Sequence, residues 1–122
     1  MTTPRSAFAA TLSAFLLIEG IWGLFSPVVF GVLTTNLLHA LIHVALGIIG
    51  IWSVLTDRSR AYLVGVGALL LVVGALWFVP SLTDPLTRIF NLNRAVAYLN
   101  IVLGVLALLF AARPTMNDLD QA

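Results

Sequence analysis

The sequence predicts an all-α integral membrane protein, a four-helix bundle forming a single membrane domain over residues 1–122. Three observations predict it. Hydrophobic residues make up 61% of the chain and charged ones only 9%, well under the roughly 25% usual in soluble proteins. A soluble domain of this size has too little interior to hide so much apolar surface. Apolar runs of membrane length recur at residues 7–25, 36–54, 61–79 and 94–112; at about 1.5 Å per residue, each can cross roughly 30 Å of hydrocarbon. Nearly all charges fall between or at the edges of these runs, and Glu19 is the exception.

The first run, Ala7 to Phe25, follows a polar lead with Pro4 and Arg5. A signal peptide is the competing reading, but its apolar region would span about 7–15 residues before a small-x-small cleavage site. This run is longer and ends in Leu24-Phe25-Ser26-Pro27-Val28, so it reads as a retained helix. Residues 26–35 carry no charge and include Val28, Val29, Phe30, Val32 and Leu33, which suits a connection lying in the membrane interface. Thr34, Thr35 or Asn36 can cap the next helix by offering an oxygen to its free N–H groups. The turn Thr56-Asp57-Arg58-Ser59-Arg60 makes the second and third helices antiparallel neighbours. The third span holds Gly65, Gly67 and Gly74 and stops at Pro80; residues 81–93 read as the longest connection. Arg113-Pro114 ends the fourth span, and a tail with Asp118 and Asp120 is expected to fray.

All six cations are arginines. The side holding both termini has Arg5, Arg58, Arg60 and Arg113, and the other has Arg88 and Arg94. The positive-inside rule then puts both termini in the cytoplasm, in a bacterial inner membrane. Trp22 and Trp77 fall near the outer interface and Trp52 near the inner one, as aromatic belts require. A net charge of +1 with no basic cluster gives no nucleic-acid partner, and the absence of cysteine excludes disulfides and thiol chemistry.

The chain repeats weakly. Gly20-Ile21-Trp22 ahead of Pro27 resembles Gly74-Ala75-Leu76-Trp77 ahead of Pro80, and His43-Val44-Ala45-Leu46-Gly47-Ile48 resembles Asn100-Ile101-Val102-Leu103-Gly104-Val105, at offsets of 54 and 57. Each half holds two spans, so the halves are parallel repeats about an axis along the membrane normal. On the second helix Asn36, His39, His43, Gly47 and Gly50 share a stripe about 80° wide. Asn93, Asn100, Gly104, Ala107 and Ala111 form the matching stripe on the fourth span. Such stripes of small residues are close-packing surfaces.

Glu19, His43 and Asn100 lie at similar depth on three helices, roughly 10 Å from the outer face, with His39 one turn higher. An unpaired charge there costs about 2.5–3.5 kcal/mol, so Glu19 is expected to hydrogen-bond His43 or His39, with Asn100 satisfying the remainder. One reading makes these groups structural ties between helices. The other makes Glu19, His39, His43 and Asn100 a ligand, proton or cofactor site, since intramembrane ionisable residues are functional by default. His39-Ala40-Leu41-Ile42-His43 has zincin spacing, but Ala40 stands where a metalloprotease needs its glutamate. Glu19, His39 and His43 could still supply three metal ligands, or one histidine could serve as axial ligand to haem or a chlorin. No Ser–His–Asp set and no phosphate-binding loop is visible.

Asn36-Leu37-Leu38-His39, continued to His43 and Gly47, resembles the Asn-x-x-His-x-x-x-His-x-x-x-Gly segment of a bacterial membrane family, domain of unknown function 4383. The resemblance covers most of residues 7–112 and implies a four-span fold without implying an activity. It also implies a second histidine-bearing segment in helix four, where this chain has Tyr98-Leu99-Asn100. The expected function is non-enzymatic: an accessory or assembly subunit of a membrane complex, in contact with lipid and with a partner protein or further copies of itself. A ligand, proton or cofactor-binding protein (metal, haem or chlorin) is the alternative, and a transporter, which would need to oligomerise, is the third.

Overall fold

The computed structural model describes residues 3–114, so the tail with Asp118 and Asp120 lies outside the described residues. These residues form α1 (Pro4–Phe25), β1 (Val28–Val29), β2 (Leu33–Thr34), α2 (Leu37–Leu55), α3 (Ser59–Trp77), α4 (Pro80–Phe90) and α5 (Arg94–Ala112). The architecture is all-α apart from the small β1–β2 hairpin. Helices α1, α2, α3 and α5 are long and apolar enough to cross a membrane, and their ends fall within three residues of the expected spans.

Local chemistry sets the boundaries. Thr3 and Ser6 form a reciprocal capping box at the start of α1. Asn36 is the residue that caps α2, its side chain accepting from the His39 N–H at 2.9 Å. Asn93 caps α5 in the same way through the Val96 N–H at 2.9 Å. Between α1 and α2 the chain does not wander. Val28–Val29 pairs antiparallel with Leu33–Thr34, and Phe30 (φ 53°) and Gly31 (φ 75°) turn the chain through the left-handed region, which glycine enters without steric cost. The Phe30 ring packs on Phe15 and Trp22, with centroids 5.7 and 4.9 Å away.

The long connection over residues 81–93 is mostly helical: α4 occupies Pro80–Phe90. Pro80 both stops α3 and begins α4, because the first turn of a helix needs no N–H from it. Asn91, at φ 52°, closes α4 with a left-handed cap. The Trp77 indole donates to Thr87 Oγ1 at 3.2 Å and fastens α4 against the end of α3.

The repeat is visible in the packing. The closest helix pairs are α1 with α2 and α3 with α5, and glycines bring the backbones together at equivalent places. A Cβ on Gly20 would meet Val44 N at 2.6 Å and Ala40 O at 2.9 Å; one on Gly74 would meet Ala97 O at 2.7 Å and Ile101 N at 3.1 Å. A Cβ on Gly47 would meet Leu17 N and Ser13 O at 2.9 Å, and one on Gly104 would meet Leu71 N and Gly67 O at 2.7 Å. Residues of α1 map onto α3 at an offset of 54 and those of α2 onto α5 at an offset of 57, for the glycines and their partners alike. The chain is thus two helical hairpins related by a pseudo-two-fold axis. Across that axis α1 and α3 face each other through the equivalent buried pairs Ala9 and Leu63, Leu12 and Val66, and Leu16 and Leu70. A second cluster, Val29, Leu33, Leu92 and Val96, closes the loop end. At the opposite end the Arg5 guanidinium donates to the carbonyls of Phe110 (3.3 Å), Ala111 (3.1 Å) and Arg113, placing a cation on the C-terminus of α5.

Candidate functional site

The polar stripe of α2 is turned inward. His39 and His43 are 6% and 5% exposed, and Gly47 and Gly50 are buried below them. The Asn36 cap fixes where α2 begins, and the close approach at Gly20 and Gly47 presses α1 against it. Glu19, itself 6% exposed, therefore meets His43 across the α1–α2 seam: Glu19 Oε2 lies 3.3 Å from His43 Nδ1. One helical turn places His39 over His43, and their Nε2 atoms are 3.1 Å apart. His39 Nδ1 is 3.1 Å from the carbonyl oxygen of Phe90, at the end of α4. The four groups form one continuous chain from the bundle interior to the loop end: Glu19, His43, His39, Phe90 O.

This geometry counts protons. The Phe90 carbonyl can only accept, so His39 Nδ1 carries a hydrogen. Two imidazole nitrogens in hydrogen-bond contact need one hydrogen between them, and so do the Glu19 carboxyl and His43 Nδ1. With a hydrogen in each of the three contacts, the chain holds one hydrogen more than a carboxylate and two neutral imidazoles carry, and its net charge is then zero. Three placements satisfy every contact without moving a heavy atom. The extra proton sits on Glu19, with both rings neutral; on His43, as an imidazolium between the carboxylate and His39; or on His39, with neutral His43 donating to the carboxylate. Adding or removing a proton sets two donors or two lone pairs against each other. A neutral hydrogen-bonded set is also what an apolar interior tolerates at least cost.

Asn100 behaves differently from the expectation that it would complete this set. It is 5% exposed, yet no hydrogen bond joins its side chain to Glu19, His39, His43 or another described residue. It lines a cavity of about 100 Å³ between the two repeats, together with His39, His43, Leu69, Val73 and Phe90. Asn100 is the repeat equivalent of His43, Val96 of His39 and Val73 of Glu19, so the second half has no counterpart of the chain.

The same geometry bears on metals and tetrapyrroles. Among the described residues no three histidine, aspartate or glutamate side chains converge as metal ligands. Glu19, His43 and His39 follow one another in line, and all four ring nitrogens are engaged. The cavity is far smaller than the roughly 300–1,000 Å³ of sites for drug-sized ligands, and a tetrapyrrole is larger still. The Phe90 carbonyl, the loop end of the chain, was not readable beforehand: a backbone acceptor leaves no trace in side-chain identity, and it sits in the long connection before α5.

Residues 6–113 match the model of one protein family, described as a domain of unknown function (DUF4383). No curated protein and no solved structure matches the chain.

Proposed function

The chain belongs to the DUF4383 family, and we propose that it is a non-enzymatic membrane protein that holds one exchangeable proton on Glu19, His43 and His39. The observation that carries this reading is the unbroken run of close polar contacts from Glu19 through His43 and His39 to Phe90 O. It relocates a proton among three groups at constant net charge, which suits a low-dielectric interior. A purely structural tie between helices needs one such contact, whereas this chain strings three in sequence. Nitrogen NMR of histidine-labelled protein in lipid bilayers tests it. A scalar coupling across the shared hydrogen should link His39 Nε2 to His43 Nε2, with His39 Nδ1 protonated throughout. Two independently titrating, uncoupled rings would overturn the reading.

In the same proposal the protein serves as an accessory or assembly subunit of a larger complex in a bacterial inner membrane, with both termini cytoplasmic and the chain nearer the outer face. The arginine asymmetry supports the orientation. The outward apolar residues of every span, such as Ile18, Leu41, Val72 and Leu109, can meet lipid or further spans. Isolation from native membranes in mild detergent tests the subunit role: a stoichiometric co-purifying membrane protein is expected, and a protein that always runs alone as a single copy would count against it.

A further inference from the structure

The proton chain has a closed end. Phe90 O accepts a hydrogen bond but does not relay a proton, and Glu19 is buried. Exchange with the surroundings needs another route, and the cavity beside the two imidazoles supplies the space. It measures about 100 Å³, several times the roughly 10–15 Å³ that one water needs by the same kind of measure. Its wall is mainly apolar, with Ile42, Leu46, Leu69 and Val73 among its residues, and His39, His43 and Asn100 are the polar side chains set into it. Asn100 is the decisive group: 5% exposed, without a side-chain hydrogen bond to another described residue, and placed by the pseudo-two-fold axis opposite its equivalent, His43. The Asn100 amide lines this cavity and has no hydrogen-bond partner among the described residues. It offers two donors and an acceptor, and the Phe90 carbonyl has a second lone pair, so a water here can find the two to four partners that buried waters have.

We propose that this cavity is a water-binding site anchored by Asn100, and that its water is the gateway through which the Glu19–His43–His39 chain exchanges its proton. The inference rests on the proton-holding reading above. When the His39–His43 contact opens, the imidazolium N–H turns to the cavity water. The N–H bond breaks with its electron pair left on nitrogen, and the proton passes to the water oxygen, giving hydronium and a neutral imidazole. The reverse step reloads the chain.

The test uses the full chain in lipid bilayers. Magnetisation transfer from water to the Asn100 side-chain amide reads occupancy directly, and ring N–H exchange after transfer to deuterated water reads the gateway. Transfer to Asn100 is expected in the native protein. Asn100→Leu should slow ring exchange by roughly tenfold, as loss of an ordered bridging water predicts, while the coupling between His39 and His43 persists. Val73→Phe, which fills the cavity while keeping the Asn100 side chain, should do the same and serves if Asn100→Leu does not fold. No transfer to Asn100, or unchanged exchange in a folded cavity variant, overturns the gateway. A missing coupling between the rings in the native protein brings down the proton-holding reading instead, and water transfer to Asn100 still decides the water site.

Discussion

Asn36 and Asn93 each reach into the other's half of the molecule. Asn36 Nδ2 donates to the Ile89 carbonyl at 2.8 Å, and Asn93 Nδ2 donates to the Val32 carbonyl at 2.9 Å. Asn36 and Asn93 are 57 positions apart, and so are Val32 and Ile89. The exchange is therefore the two-fold relation written in hydrogen bonds, at the end of the bundle away from the chain termini. Thr34 and Asn91, also 57 apart, meet on the same axis, with Thr34 Oγ1 donating to Asn91 O at 2.6 Å.

Each asparagine does two things that substitution can separate. Asn36→Ala removes a helix cap, at about 1 kcal/mol, and an interhalf bond, at about 0.6 kcal/mol on average for such contacts in membranes. Asn36→Ser keeps a capping oxygen and loses the reach to Ile89. Denaturation in detergent should therefore rank native above Ser above Ala, and Asn93 should follow the same order. Equal losses for Ser and Ala would show that the cap contributes nothing.

The glycines divide by what faces them. Gly47→Ala and Gly104→Ala push a methyl into backbone under 3 Å away and should each cost about 1–3 kcal/mol, as overpacking does. Gly47→Leu should be worse, while Ile49→Leu on the exposed face should be tolerated. Gly65 has nothing within 4 Å of a Cβ, so Gly65→Ala should be neutral or stabilising by about 0.5–1 kcal/mol. Thermal melts of the purified variants give the comparison.

The contact between Glu19 and His43 predicts a coupling energy. Glu19→Gln and His43→Gln should each destabilise, and the double variant should lose less than the sum, by about 0.5–2 kcal/mol. The cycle of Glu19 with His39 should couple more weakly, since His43 stands between them. Strict additivity for Glu19 and His43 would remove the contact from the folded protein in detergent.

Topology is checked by reporter fusions. A reporter at Ala122 should be cytoplasmic and one within residues 81–90 should lie on the other side, as four crossings and the arginine count require. A periplasmic C-terminus would reverse the orientation, and equal compartments would remove one crossing.

The long apolar runs and the inward stripe of α2 were legible because burial in a membrane protein follows small and polar residues. The meeting of Glu19 with His43 followed from matching depths on neighbouring helices. Helix α4 was not legible within the long connection: Pro80 reads as the stop of the third span and Pro85 as a helix breaker, while the bond from Trp77 to Thr87 that holds it against α3 is tertiary. Asn100 was placed at the right depth but given the wrong partner, because depth fixes height along a helix and not which side of a two-fold axis a side chain serves.

The turn Thr56–Asp57–Arg58, with Asp57 at φ 60°, is the sole covalent link between the hairpins. Everything else that joins them is non-covalent, and only the first half owns Glu19, His39 and His43. Two separate copies of the first hairpin would assemble with two such chains, and two copies of the second with none. The tether forbids both outcomes: by raising the effective concentration of the unlike partner, it sets the stoichiometry at one Glu–His–His chain per molecule.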